Sequence, residues 1–264
     1  MLSDLYFETL RRHFPNEAQQ DRSLSVFTFL MECNKCQEGG KLRLFKASCN
    51  ISEIMRQTVA DCPLLEVYGI GPWEVPRAKY AKAMSEAHLK RRDLQSKINQ
   101  ASLGFIVNYG GAQVLLGGDM ESLNWNSLRK QWAKQRKEWK ENNKRFPELK
   151  PNLVKVSHHG SETSCLPRMW GKNGFLVPKG RPPVAVVTPW NRASEDKRLP
   201  NSQVIKKIRR SGVRVFVTSS PQSESATHAW RVPGMFSHLH LQLSTKGEVQ
   251  VVDRGDSEEL PPLC

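Results

Sequence analysis

The stretch SLGFIVNYGGAQVLLGGD, residues 102–119, constrains the fold more than any other. Ser102–Tyr109 and Val114–Gly117 are rich in β-branched, aromatic and aliphatic residues, and the GGAQ between them is turn chemistry. The stretch therefore predicts strand, turn, strand, with Asp119 delivered just past the carboxyl end of the second strand. Beyond Asp119, helix and strand patterns alternate. A helix is expected from Leu123 to Phe146, then a strand over NLVKVSHH (152–159), a strand over PPVAVVTPW (182–190), a helix over NSQVIKKIRRSG (201–212) and a strand over VRVFVTSS (213–220). Asn201 or Ser202 is the expected N-cap of that last helix and Gly212 its stop. Strands alternating with helices across residues 100–220 predict a layered α/β fold.

The flanks add further elements. A helix is expected over Asp4–Phe14, a hairpin from Ser23–Cys33 and Lys41–Cys49, a helix opening at Asn50 or Ser52, a strand over Pro63–Ile70 and a basic helix over Arg77–Ile98. SHLHLQLST and EVQVVD predict a terminal hairpin. Residues 169–181, 219–235 and the tail from Gly255 read as weakly ordered, so that 1–254 is expected to form one domain and 255–264 a tail. In the helix after Asp119, residues Trp125, Leu128, Trp132, Trp139 and Phe146 recur at helical steps, which predicts a face turned to the core rather than a platform for bases.

Charge is the second constraint. The chain has 264 residues, 40 Lys and Arg against 26 Asp and Glu, and a net charge of +14. The surplus is local: residues 77–97 carry seven basic and two acidic side chains, and residues 127–146 carry eight and two. Such fields concentrate polyanions, so Lys90, Arg91, Arg92, Lys137 and Lys140 are candidate nucleic-acid contacts; the alternative is a solvated basic surface. There is no apolar run of eighteen residues and no apolar stretch with a cleavage site near Met1. No membrane span and a cytoplasmic location are therefore expected. The six cysteines include Cys33 and Cys36 in a C-x-x-C, without a second close pair to complete a zinc site, and are expected to be reduced thiols.

Three expected strand ends carry polar side chains: Asp119, then His158 and His159, then Thr188. Ligands of layered α/β folds gather at the carboxyl ends of strands. A carboxylate with imidazoles suits zinc, manganese or iron. A polar turn that binds nothing is the alternative at this point.

The ordered motifs NQASLGFIVNYGGAQVLLGGDMES, LVKVSHHGSETS and PPVAVVTPWNRASEDKRLP resemble the metallo-β-lactamase superfamily, in its ComEC-type hydrolase branch, over residues 63–220. The resemblance implies an αββα sandwich and hydrolysis of phosphodiester bonds in nucleic acid with zinc or manganese, one ion or two. It implies that Asp119 ligates or bridges metal, that one of His158 and His159 is a ligand, and that Asn99, Ser161 and Thr188 line the site. It also implies an incomplete domain. The superfamily's H-x-[HD]-x-D-H signature is absent from this sequence, whose histidines are His13, His88, His158, His159, His228, His238 and His240. Leu199 stands before Pro200, where the branch often has a histidine. The chain thus resembles the last two-thirds of such a domain: a fragment, half of a split protein whose missing ligands come from a second chain, or a degenerate member. A non-catalytic remnant that binds nucleic acid or protein through its basic surface is the alternative function.

Overall fold

The computed structural model describes residues 51–58, 63–71, 98–166, 168–171, 174–177, 181–190, 199–218, 238–253 and 257–263. The chain divides into two units, 1–46 and 47–264, and every described residue lies in the second. The helix expected over Asp4–Phe14, the hairpin over 23–49, most of the basic helix expected over 77–98 and the stretch 219–235 lie outside the described residues.

The architecture is mixed α/β. Eight strands form one sheet in the order β1 (Ser52–Gln57), β2 (Leu65–Ile70), β3 (Gly104–Tyr109), β4 (Ala112–Leu116), β5 (Leu153–Lys155), β6 (Val184–Val187), β7 (Arg214–Val217) and β10 (Glu258–Leu260). The first four pair antiparallel, β4 through β7 pair parallel, and β10 closes the edge antiparallel to β7. A separate hairpin joins β8 (His240–Leu243) and β9 (Val249–Asp253), as the sequence predicts.

One transverse row shows why this register is chosen. Tyr68, Ile106, Leu115, Val154, Ala185, Val215 and Leu260 are successive register partners from β2 to β10, and all are buried. A slip of one residue in any strand turns its member of the row to the other face. The row and its neighbours are covered by helix α1 (Ser122–Glu141), through Trp125 and Leu128, and by helix α2 (Ser202–Arg209), through Val204, Ile205 and Ile208. Burying side chains of this size contributes about 1.5–3 kcal/mol each. The opposite face is less covered: Phe105, Val107, Val114, Leu153, Lys155 and Val186 are half-buried and Leu116 is exposed.

The aromatic stripe of α1 is a core face, as expected, but the helix is shorter than the stripe. Asn142 caps it and Asn143 takes a left-handed φ of 54°. Beyond that break Phe146 returns to pack edge-on against Trp132 and Trp139, with centroids 4.8 and 5.5 Å away. Side-chain spacing alone continues through the break; the backbone does not. Helix α2 opens at Asn201, whose Oδ1 accepts from the amides of Gln203 and Val204, and Gly212 follows at φ 78°.

Three expectations are corrected. Residues 52–57 form β1, not a helix: the local Asn-Ile-Ser-Glu pattern resembles a helix start, but pairing with β2 supplies the backbone partners instead. Residues 258–260 are an edge strand, not tail. Met169, Trp170, Leu176 and Val177, within a stretch expected to be weakly ordered, are buried core. Among the described residues no helix is long and apolar enough to cross a membrane.

Candidate functional site

The parallel strands β4, β5 and β6 are immediate neighbours, so their carboxyl ends emerge side by side. Asp119 leaves β4 after Gly117 and Gly118, and each glycine has a steric reason. A Cβ on Gly117 would collide with Ser157 Oγ in the turn after β5. Gly118 has φ 53°, and a Cβ there would collide with the Leu103 carbonyl. The close approach lets the His158 amide donate to the Gly118 carbonyl at 2.9 Å. Ser102 Oγ in turn accepts from the Asp119 amide at 2.9 Å. The two turns are therefore held against each other by backbone bonds that leave the Asp119 carboxylate exposed.

The turn after β5 is strained. His158, His159 and Gly160 have φ of 44°, 54° and 75°, a run of three left-handed residues of which only the last is a glycine. A left-handed non-glycine residue costs on the order of 1–3 kcal/mol and such residues gather at functional sites. A Cβ on Gly160 would come within 2.9 Å of the Pro200 side chain, and the Gly160 carbonyl accepts from the Asn201 amide at 3.0 Å. The twist sends the two imidazoles to different partners, with ring centroids 6.5 Å apart.

His158 turns toward the start of α1. Its Nδ1 lies 3.1 Å from Glu121 Oε1 and 3.1 Å from Ser161 Oγ, and its Nε2 lies 3.2 Å from the Asn99 amide nitrogen. That amide donates to Glu121 Oε1 at 3.2 Å, and Thr163 Oγ1 donates to the same oxygen at 3.4 Å. The hydrogen bond from His158 holds the Glu121 carboxyl below the usual carboxylate range, against the opposing pull of burial. The same bond holds the His158 imidazole above its ordinary value, again against burial.

His159 turns the other way. Its Nδ1 lies 2.7 Å from the Thr188 backbone carbonyl, which can only accept, so Nδ1 carries the proton. Nε2 is left as the lone-pair nitrogen, and it faces Asp119 Oδ1 across 4.0 Å. Burial, first of all, keeps the ring toward its neutral form, and the Lys155 charge acts in the same direction. The Trp190 indole lies against the His159 ring at 5.1 Å, tilted by 35°. Lys155, the last residue of β5, donates to the Val156 carbonyl at 3.1 Å. Burial pushes its ammonium down, and Asp119 pulls it back up.

Two acceptors that face each other make a place for a cation. Zinc bonds of about 2.0–2.2 Å set at a tetrahedral angle would hold the two atoms about 3.4 Å apart, so the pair has to close by roughly half an ångström. Catalytic zinc takes three protein ligands, and no group of three or more His, Cys, Asp or Glu able to hold a metal is present among the described residues. His159 and Asp119 therefore fit two positions of a coordination shell and do not complete it.

Of the residues singled out from sequence, Asp119, His159 and Thr188 converge as one cluster, and His158, Asn99 and Ser161 as a second beside it. Lys90, Arg91 and Arg92 lie outside the described residues. Lys137 and Lys140 do not line the site: they sit 16 and 19 residues along α1 from Glu121, roughly 24 and 28 Å away along the axis. Lys137 is also paired to Glu141 at 3.7 Å. Leu199 pairs through its backbone with Trp190. Glu121, Lys155 and Trp190 belong to the site and were not singled out. For Glu121 a signal exists: it caps α1 in a reciprocal box with Asn124, two residues past Asp119. Comparison of the chain with protein-family models, with curated proteins and with solved structures finds no match.

Proposed function

We propose that this chain is the ligand-bearing part of a metal-dependent phosphodiester hydrolase with an incomplete metallo-β-lactamase-like fold. The observation that carries the reading is the opposed pair His159 Nε2 and Asp119 Oδ1, 4.0 Å apart, with the histidine tautomer set by the Thr188 carbonyl. A carbonyl on the other ring nitrogen is how ligating histidines are commonly oriented. The helices on one face of a mixed sheet, and the half-buried face opposite, are consistent with an αββα sandwich whose second sheet is incomplete. Zinc or manganese bound there would activate water and offset charge on phosphate. Its remaining ligands come from residues of this chain outside the described set. The chain's own contribution is to aim His159, to hold His158 toward its cationic form through Glu121, and to place Lys155 near the phosphate.

The test is metal uptake and hydrolysis by the purified chain. Titration calorimetry with zinc and with manganese is expected to show binding that Asp119→Ala and His159→Ala each abolish, with loss of bis(p-nitrophenyl) phosphate hydrolysis. Binding of neither metal, or hydrolysis indifferent to both substitutions, overturns the reading. The absence of a third ligand among the described residues favours one other reading, a non-catalytic basic protein that binds nucleic acid. Salt-sensitive DNA binding without metal uptake or cleavage is its signature.

A further inference from the structure

We propose that Lys155 is a modification site: its side-chain amine takes up carbon dioxide, and the resulting carbamate is the third ligand of the metal held by Asp119 and His159. The inference rests on the metal reading above and moves one of the remaining ligands into the described residues.

Position carries the argument first. Lys155 ends β5, the strand that lies between those leading to Asp119 and to Thr188, and it pairs in register with Leu116 and Val186. Asp119 follows three residues past Leu116, and His159 four past Lys155 itself, so the lysine stands at the root of both turns. The residue is half-buried, and its Nζ donates to the Val156 carbonyl at 3.1 Å, one residue further toward the histidine turn. Asp119 and His159 both feel its charge. Yet Lys155 forms no ion pair with a carboxylate among the described residues. A half-buried lysine beside a metal-ligating pair, without a carboxylate of its own, is otherwise unexplained.

The chemistry matches what the pair lacks. Neutral His159 and ionised Asp119 offer two acceptors and one negative charge to a divalent cation, and catalytic zinc takes three protein ligands. No group of three His, Cys, Asp or Glu is present among the described residues, and a carbamate makes an oxygen ligand from a residue outside those four types. As an ammonium, Lys155 is all donors and has no lone pair to give. Burial favours its neutral amine. The amine lone pair attacks the carbon of carbon dioxide. A C–N bond forms, one C–O π pair moves onto oxygen, and the nitrogen loses one proton to solvent. Amide-like bond lengths place the two carbamate oxygens about 2.2 Å beyond Nζ. The product carries one negative charge, so the three ligands together neutralise a divalent cation. Lys155 then acts on a phosphate through the metal and not by its own charge.

The experiment uses the purified chain with zinc, in buffer freed of carbon dioxide and in buffer holding isotope-labelled bicarbonate. Carbon NMR is expected to show a carbamate resonance that is absent from Lys155→Met and from Lys155→Arg, the second of which keeps the positive charge. Calorimetry is expected to show bicarbonate raising zinc affinity about tenfold or more in the native chain, since even the partners of metal ligands are worth about 10- to 100-fold in affinity. Neither variant should respond to bicarbonate. A native chain that lacks the resonance, or whose zinc affinity ignores bicarbonate, overturns the inference while leaving the hydrolase reading standing. So does a bicarbonate effect that persists in both variants, which would mark bicarbonate itself as the ligand. No zinc uptake with or without bicarbonate overturns the inference and the metal reading together.

Discussion

Glu121 Oε1 and His158 Nδ1 meet at 3.1 Å between the start of α1 and the turn after β5, and each holds the other toward its charged form. Glu121 contributes stability that is complete above its ordinary 4.5 and is lost as pH falls through its lowered value. His158 contributes stability that is complete below its ordinary 6.5 and is lost as pH rises through its raised value. The metal-free chain is therefore expected to be most stable between pH 4.5 and 6.5. Melting temperature against pH should fall on both sides of this window in the native chain and flatten in Glu121→Gln. An unchanged profile in the variant would show that the pair does not control it.

His159 is aimed by a backbone carbonyl, not by a hydroxyl. The Thr188 carbonyl lies 2.7 Å from Nδ1, against 3.3 Å for Thr188 Oγ1. Thr188→Val is thus expected to change zinc affinity less than threefold, whereas His159→Ala lowers it at least tenfold. Calorimetry on the two variants separates the contributions, and a large loss in Thr188→Val would transfer the orienting role to the hydroxyl.

Gly118 has no room for a side chain and no conformation for one. Its φ is 53° and an added Cβ meets the Leu103 carbonyl. Gly118→Ala is expected to destabilise the chain by about 2 kcal/mol or more, from left-handed strain and displaced backbone together. Urea unfolding followed by tryptophan fluorescence measures it. A loss below about 0.5 kcal/mol would mean that the β4 turn relaxes freely.

Leu115 is the third of seven residues in the buried transverse row, fully buried between Ile106 and Val154. Leu115→Ala should cost about 2–5 kcal/mol, whereas Leu116→Ala, one residue on and exposed, should cost much less. The same unfolding experiment distinguishes them, and equal losses would indicate that the far face of the sheet is covered more tightly than its exposure suggests.

Lys137 and Lys140 sit on the far half of α1 from the site. Replacing both with Glu is expected to weaken binding of a long DNA strand and reduce its salt dependence, without altering hydrolysis of a small phosphodiester. A change in small-substrate turnover would place these lysines in the chemistry.

Much of the fold is local enough to be legible in the chain itself. The β3–β4 hairpin follows from two apolar runs around Gly110 and Gly111, α2 from the Asn201 cap and the Gly212 stop, and the β8–β9 hairpin from alternation. Even the gathering of Asp119, the two histidines and Thr188 was foreseeable, because each ends a strand and parallel strands end together. Tertiary structure decided the rest. Residues 52–57 carry a helix-start pattern that pairing with β2 overrides, and residues 258–260 become a strand only because β7 offers an edge. The contacts that define the site, Glu121 with His158 and Trp190 with His159, span 37 and 31 residues of chain. No local pattern encodes such contacts. They exist because the register of β4, β5 and β6 brings three turns to one end of the sheet, and the left-handed twist at His158 and His159 then decides which partner each ring meets.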